Sequence, residues 1–274
     1  MGLHGKRVLI TGAAGGLGSA TMAALAARGC NVIGLDRTPA TGATAGRVIV
    51  ADLKNPAEIA AAVAEAIKRL GGLDILINNA GVLDLQDPGA PPVGDSMEHF
   101  DVNLFGAWRT TAAALPALLE SHGRVINVSS LFAVVNAVFI PAYSASKRAM
   151  VAYSDVLRMQ YGDRIGVTTV YPGYIGTHIH DKILRQGLSV ARLVTFKLGG
   201  TTLLSLEEPV EAAARGMVRV CGGRVRRDCG LTFFGTLSLV AARHWPRFVD
   251  GFIRWRVGRL VRTGILSISL EPKG

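Results

Sequence analysis

The chain has 274 residues, 49% of them hydrophobic and 18% charged, with a formal net charge of +10. That apolar content excludes a disordered chain, and the 33 glycines follow no Gly-x-y period, which excludes a collagen-like one. A chain of this length is expected to build one α/β domain around a single core. The charge is local: residues 1–214 hold 18 Lys/Arg against 17 Asp/Glu, whereas residues 215–274 hold 12 against 3.

Residues 7–11 form the first predicted strand and lead through a glycine-rich turn into a helix over 18–28. Strands are predicted at 31–36, 47–51, 75–78, 124–129 and 166–171, separated by helices at 56–70, 97–119 and 143–161. Strands alternating with helices of this length imply βαβ crossovers and a doubly wound parallel sheet. The near-continuous apolar run Val32-Ile33-Gly34-Leu35 suits a strand buried on both faces. The Pro/Gly-rich stretch 87–92 reads as a surface loop.

Residues 178–204 are irregular and apolar at Ile183, Leu184, Leu188, Val190, Leu193, Val194 and Phe196, and read as a substrate flap of short helices. Ser205-Leu206-Glu207-Glu208 has capping-box spacing ahead of a helix running through Val220. Residues 1–230 thus make a dinucleotide-binding domain, and residues 231–274 a basic, amphipathic C-terminal helical extension. Within the extension a helical pattern over 236–262 is broken at Trp245-Pro246. Phe248, Val249, Phe252, Ile253, Trp255 and Leu260 fall on one broad arc, with Arg247, Arg254 and Arg262 opposite and Arg256 and Arg259 intruding. Such a stretch suits peripheral contact with an anionic membrane surface, or packing on the domain or on a partner subunit.

No apolar run reaches the roughly 20 residues a bilayer span needs, and residues 1–6 lead straight into a strand without a secretory leader, so a cytoplasmic chain is expected. Cys30, Cys221 and Cys229 are odd in number and widely spaced, as buried thiols of a reducing compartment would be. No Cys/His spacing points to a metal, and no recognition motif points to nucleic acid.

The turn Thr11-Gly12-Ala13-Ala14-Gly15-Gly16-Leu17-Gly18 lies between the first strand and its helix. Backbone N–H groups and a helix N-terminus can face a pyrophosphate there. Asp36 closes the second strand, where a carboxylate can accept hydrogen bonds from the adenosine ribose. A 2′-phosphate would meet like charge at Asp36, which favours NAD over NADP; the neighbouring Arg37 could pair with such a phosphate and keeps NADP as the lesser alternative. Tyr143 and Lys147 are four residues apart on a helical pattern, hence on one face. A phenol near pKa 10 is a poor base at neutral pH, and a nearby ammonium would stabilise its phenolate, which suits Tyr143 to general acid/base work.

Taken in order, Thr11-Gly12-x-x-x-Gly16-x-Gly18, Asp52-Leu53, Asn78-Asn79-Ala80-Gly81, Asn103, Ser130, Tyr143-x-x-x-Lys147 and Pro172-Gly173-x-x-x-Thr177 resemble the short-chain dehydrogenase/reductase family over residues 5–180. The resemblance implies a Rossmann-type fold and the following roles. Asp52 and Leu53 border the adenine, and Asn78, Asn79, Ala80 and Gly81 line the cofactor groove. Ser130 holds the substrate oxygen beside Tyr143, while Lys147 holds the nicotinamide ribose. Asn103 supports a proton relay to Lys147, with a purely structural hydrogen bond as the competing reading. Pro172, Gly173, Ile175 and Thr177 contact the carboxamide and phosphates. The family also implies a homo-oligomer, tetramer or dimer, built on the two long helices around Ser130. His178 and His180 take no assigned role.

The expectation is an NAD-dependent oxidoreductase interconverting an alcohol and a ketone or aldehyde, on a lipophilic substrate such as a steroid, a retinoid-like compound or a long-chain alcohol. The alternatives are a catalytically inactive dinucleotide-binding sensor or scaffold, an NADP-dependent carbonyl reductase, and a sugar-nucleotide epimerase.

Overall fold

The computed structural model describes residues 2–39, 44, 46–185, 195–198, 201–205 and 207–263. The chain begins with β1 (Arg7–Thr11), α1 (Gly16–Ala26), β2 (Asn31–Asp36), β3 (Val48–Val50), α2 (Pro56–Leu70) and β4 (Ile75–Asn78). Next come α3 (Gly94–Phe100), a π-helical turn (Asp101–Gly106), α4 (Ala107–Glu120), β5 (Arg124–Val128), α5 (Pro141–Tyr161) and β6 (Gly166–Tyr171). Then follow β7 (Tyr174–Ile175), a 3₁₀ turn (His178–His180), α6 (Asp181–Arg185), β8 (Thr195–Leu198), β9 (Thr201–Ser205) and β10 (Glu207–Glu208). The last elements are α7 (Val210–Gly222), β11 (Asp228–Gly230), α8 (Phe233–His244) and α9 (Pro246–Arg262).

The main sheet has seven strands in the order β11-β6-β5-β4-β1-β2-β3, every pair parallel. Successive side chains of a strand point to opposite faces. Val8, Ile10, Ile75 and Ile77 therefore pack under α1 and α7 with Met22, Leu25 and Met217, while Leu9 and Leu76 pack on the other face with Ile59, Val63 and Leu118. Each of these buried aliphatic chains contributes about 1.5–3 kcal/mol. The strand order reverses between β1 and β4, and in such sheets the crevice beyond the carboxyl ends at that point is where ligands bind.

Helix α2 shows how local sequence sets an element. Asn55 caps it by accepting from the Ala57 and Glu58 N–H groups, Pro56 opens it, and Gly71, at φ +70°, closes it in the left-handed region. Four expectations need correction. The predicted helix over 97–119 starts at Gly94 and contains the π turn, which carries Asn103. The capping box does not form: Pro209 sits at the helix N-cap position and α7 starts at Val210, leaving Glu207 and Glu208 to pair with Tyr174 and Ile175. Residues 195–198 and 201–205 of the flap are an antiparallel strand pair rather than helices; Leu188, Val190, Leu193 and Val194 lie outside the described residues. Finally, the single apolar arc of the extension is split. Val257 and Leu260 are buried, whereas Phe248, Phe252 and Trp255 face outward.

Candidate active site

A cavity of about 690 Å³ runs along the carboxyl ends of the strands, from the β1–α1 turn to α8 and α9. At one end is a cradle that only glycine permits. A Cβ on Gly18 would stand 2.0 Å from the Gly12 carbonyl oxygen, and Gly12 itself has φ +68° with Ala80 backbone 2.8 Å from its virtual Cβ. Thr11 holds this turn against β4: its Oγ1 accepts from the Asn79 and Ala80 N–H groups at 3.0 and 3.1 Å, and Asn79 Nδ2 donates to the Thr11 carbonyl at 2.9 Å. The backbone can thus approach a pyrophosphate at the N-terminus of α1, so the residues present fit a dinucleotide.

Asp36 is fixed in advance. One carboxylate oxygen accepts from the Ala14 N–H at 2.9 Å, the other from the Thr38 N–H and hydroxyl at 3.1 Å each. Arg37, Asp52 and Leu53 line the same end, and Gly16, Leu17, Asn79, Ala80, Gly81, Pro172, Gly173, Ile175 and Thr177 line the passage beyond it. The cofactor residues expected from the sequence thus border one cavity, except Asn78, which is buried with its Nδ2 donating to Thr111 Oγ1 and Asn127 Oδ1 at 2.8 Å each.

Ser130, Tyr143 and Lys147 line the same cavity. Ser130 lies two residues beyond β5 and caps the 3₁₀ turn Leu131–Ala133, its Oγ accepting from the Phe132 N–H at 3.2 Å; the same hydroxyl neighbours the Tyr143 phenol. Lys147 Nζ donates to the Val128 carbonyl at 2.9 Å and stands 5.9 Å from the centre of the Tyr143 ring. Burial pushes the Tyr143 phenol above its ordinary value, the Ser130 bond opposing that rise. Burial also pulls the Lys147 ammonium down to about 8. Both groups thus resist charging until an opposite or compensating charge arrives.

Lys147 gives a first expected result. Below about pH 8 the folded and the unfolded chain both hold its proton, and burial of the ammonium costs the fold about 3 kcal/mol. Between about 8 and 10.5 the unfolded chain alone keeps the proton, so this cost disappears as pH rises. Allowing about 1 kcal/mol for the lost bond to Val128, Lys147→Met is expected to stabilise the dinucleotide-free chain by about 2 kcal/mol at neutral pH. Urea denaturation should show that gain shrinking as pH rises above about 8 and gone before pH 10.5.

Asn103 does not line the cavity either. It lies behind Gly81: Oδ1 accepts from the Val82 N–H at 2.8 Å, and Nδ2 donates to the Val82 carbonyl at 3.1 Å and to Ser146 Oγ at 3.0 Å. Three supporting residues went unread in the sequence. His99, one helical turn before Asn103, is fully buried; its Nε2 accepts from the Asp84 N–H at 3.1 Å, and its ring meets Tyr143 edge-on at 6.4 Å. Ser129 Oγ donates to the Lys147 carbonyl at 2.9 Å. Glu208 borders the cavity, accepts from the Thr232 hydroxyl, and is raised by burial. The available signal was a polar residue on an otherwise apolar face, which must find a partner. His180 borders the cavity and packs 4.7 Å from the Tyr174 ring.

Residues 6–187 match the short chain dehydrogenase family. The chain belongs to that family. Among relatives of this short-chain dehydrogenase, the oxidoreductase UcpA of Escherichia coli K12 is 35% identical over 202 residues, covering 67% of this chain and 74% of its own. Two solved structures share the fold at 23% identity. A 3-ketoacyl-(acyl-carrier-protein) reductase from Brucella melitensis, complexed with NADH, has a TM-score of 0.72 over 84% of this chain and 97% of its own. A short chain dehydrogenase from Burkholderia cenocepacia, in complex with NADP, has a TM-score of 0.75 over 92% and 99%. The protein is an oxidoreductase of this family. Among the described residues no group of His, Cys, Asp and Glu could hold a metal ion, and no helix is long and apolar enough to cross a membrane.

Proposed function

We propose that this short-chain dehydrogenase uses NAD to interconvert an alcohol and a ketone or aldehyde on an apolar substrate such as a steroid, a retinoid-like compound or a long-chain alcohol. The observation that carries the reading is the position of the Ser130–Tyr143 pair. It lies between the glycine cradle and an apolar chamber walled by Ile179, Ile183, Phe234, Val249, Ile253 and Val257. Bound NAD supplies the hydride acceptor. Ser130 holds the substrate oxygen beside Tyr143 Oη, and Tyr143 takes the hydroxyl proton in oxidation and returns it in reduction. Lys147, its ammonium next to the ring, stabilises the phenolate that burial alone disfavours. Asn103 serves this site as a positioning residue, by fixing the Val82 backbone and Ser146.

In this reading residues 1–230 form the dinucleotide-binding domain, and α8 and α9 of the C-terminal extension 231–274 wall the substrate end. The intact Ser130, Tyr143 and Lys147 set favours an enzyme over an inactive sensor or scaffold. NAD preference is supported by Asp36, whose carboxylate is held at the end of β2 by three donors. Asp36→Ala is expected to shrink the NAD-over-NADP preference at least about tenfold, a change worth about 1.4 kcal/mol. Unchanged discrimination in paired titrations with the two dinucleotides would remove Asp36 from this role.

The further partners proposed are a second copy of the chain and a membrane surface met within residues 236–262, in a cytoplasmic setting suited to three free thiols. Trp108, Val156 and Met159 expose apolar surface on α4 and α5, the helices expected to form the subunit contact. The test of the activity is reduced-nicotinamide absorbance over a panel of secondary and primary alcohols. Turnover supports the enzyme, and dinucleotide binding without turnover across the panel favours the sensor.

A further inference from the structure

Helices α8 and α9 carry exposed apolar side chains. On α9, Val257 and Leu260 pack inward against Leu85 and Val138. Phe248, Phe252 and Trp255, spaced by four and three residues on the other side, are 75%, 41% and 50% exposed, and Trp245 before them is 62% exposed. Single exposed apolar residues are ordinary, but an aromatic stripe along one helix is not.

This stripe borders the cavity. Phe248 and Phe252 belong at once to the exposed stripe and to the cavity wall, and Val249 and Ile253, each one residue further along, line the chamber. On α8 the same register recurs, with Phe233 and Leu237 outward and Phe234 and Ser238 on the cavity. The chamber thus opens among outward-facing aromatic rings.

Charge selects what covers them. Arg247, Arg254, Arg259 and Arg262 are exposed on α9, and Arg259 lies 5.9 Å from the Trp255 ring. The only acidic side chain on α8 or α9 is Asp250, whose carboxylate is taken up by Asn136 Nδ2 at 3.0 and 3.2 Å. A second copy docked symmetrically on this face would bring arginines against arginines. A nucleic acid would match the charge and offer no apolar phase for the stripe. An anionic lipid surface supplies both, with phosphates for the arginines and an interface in which Trp and Phe rings settle.

We propose that α8 and α9 lie on an anionic lipid surface, with Phe248, Phe252 and Trp255 among the acyl chains, so that the substrate chamber opens into lipid. The contact itself deepens the membrane reading given above and does not depend on catalysis. Only the use of the mouth as a substrate entry rests on the proposed activity.

The test uses the full-length chain with sedimented vesicles of phosphatidylcholine alone and of equimolar phosphatidylcholine and phosphatidylglycerol. The chain is expected to pellet with the anionic vesicles and to stay in the supernatant with the neutral ones. Added salt should release it, because the arginine contribution is screened over about 8–10 Å. Two of the three tryptophans, Trp245 and Trp255, lie on the surface concerned, so emission from a Trp108→Phe variant should shift to shorter wavelength on binding. Each of Arg254→Gln and Arg262→Gln is expected to weaken partitioning about fivefold. Combined Phe248→Ser, Phe252→Ser and Trp255→Ser should abolish it while the variant still binds NAD, which shows that it is folded. Wild-type protein left in the supernatant with anionic vesicles overturns the proposal. So does a serine variant that pellets like the wild type, or one whose main effect is to dissociate an oligomer, which would assign the face to a second copy. Vesicle binding by a protein that turns over no alcohol would leave this inference standing and defeat the proposed activity instead.

Discussion

Tyr143→Phe is expected to lower turnover about a thousandfold while NAD still binds, because the substitution removes one hydroxyl from a ring whose packing stays intact. The ring is held edge-on by His99 and Phe132, each with centroids 6.4 Å away, and sits among Leu83, Ile140 and Ile183. Phenylalanine fits the same space. What is lost is the hydroxyl proposed to pass a proton to the substrate oxygen, beside Ser130. The measurement pairs steady-state turnover with calorimetric NAD affinity. Matched losses in both would mean that the ring shapes the dinucleotide site, whereas loss of turnover alone assigns the hydroxyl to proton transfer.

The second large effect is expected at the glycine turn, where the three glycines should rank by what a methyl group would meet. Gly18→Ala puts a Cβ 2.0 Å from the Gly12 carbonyl oxygen and 3.0 Å from Ala13 Cα, both backbone, so the turn itself must move. Overpacking of this kind costs about 1–3 kcal/mol. Displacing N–H groups aimed at a pyrophosphate should weaken NAD binding about 100-fold, equivalent to about 2.7 kcal/mol. Gly16→Ala meets the Thr177 methyl at 3.0 Å, a side chain that can turn aside, and should cost less. At Gly15 the nearest atom is 3.3 Å away, so Ala should be nearly neutral. Thermal melts and NADH fluorescence titrations of the three variants test the order, and equal losses at Gly15 and Gly18 would contradict it.

The sheet could be read from the sequence because six of its strands are apolar runs set between helical stretches. The seventh could not. Asp228–Gly230 is short and polar, and it joins β6 through tertiary contacts: the Tyr171 hydroxyl donates to Asp228 Oδ1 at 2.9 Å and Arg243 pairs with Asp228 Oδ2 at 3.0 Å. Spacing misled at Ser205-Leu206-Glu207-Glu208 because the capping pattern says nothing of the competing strand pairing to β7, which Pro209 then terminates. In the extension, a helical wheel located the apolar residues of α9 but could not tell which of two apolar directions the fold would cover. Val257 and Leu260 are buried with Leu85 and Val138, and Phe248 and Trp255 are exposed.

At the site, the motif residues were visible and their supports were not. The cavity places Gly12, Gly16, Gly18, Asp36, Ser130, Tyr143 and Lys147 along one passage. What holds the passage in shape is polar and buried: Thr11 on Asn79 and Ala80, Asn103 on Val82 and Ser146, His99 on Asp84, and Ser129 on the Lys147 carbonyl. Each partner is a backbone group or a hydroxyl that becomes adjacent only on folding, so no sequence spacing announces it. The π turn at Asp101–Gly106 belongs to the same set, since it places Asn103 behind Gly81.

The most direct measurement is a crystal structure of the chain with NAD and a long-chain secondary alcohol. The account requires the pyrophosphate on the turn from Gly12 to Gly18 and the nicotinamide beside Tyr143. The alcohol oxygen should hydrogen-bond to Tyr143 and Ser130, with its carbon about 3–3.5 Å from the hydride-accepting carbon. A nicotinamide bound away from Tyr143, or an alcohol oxygen out of reach of both hydroxyls, would contradict it.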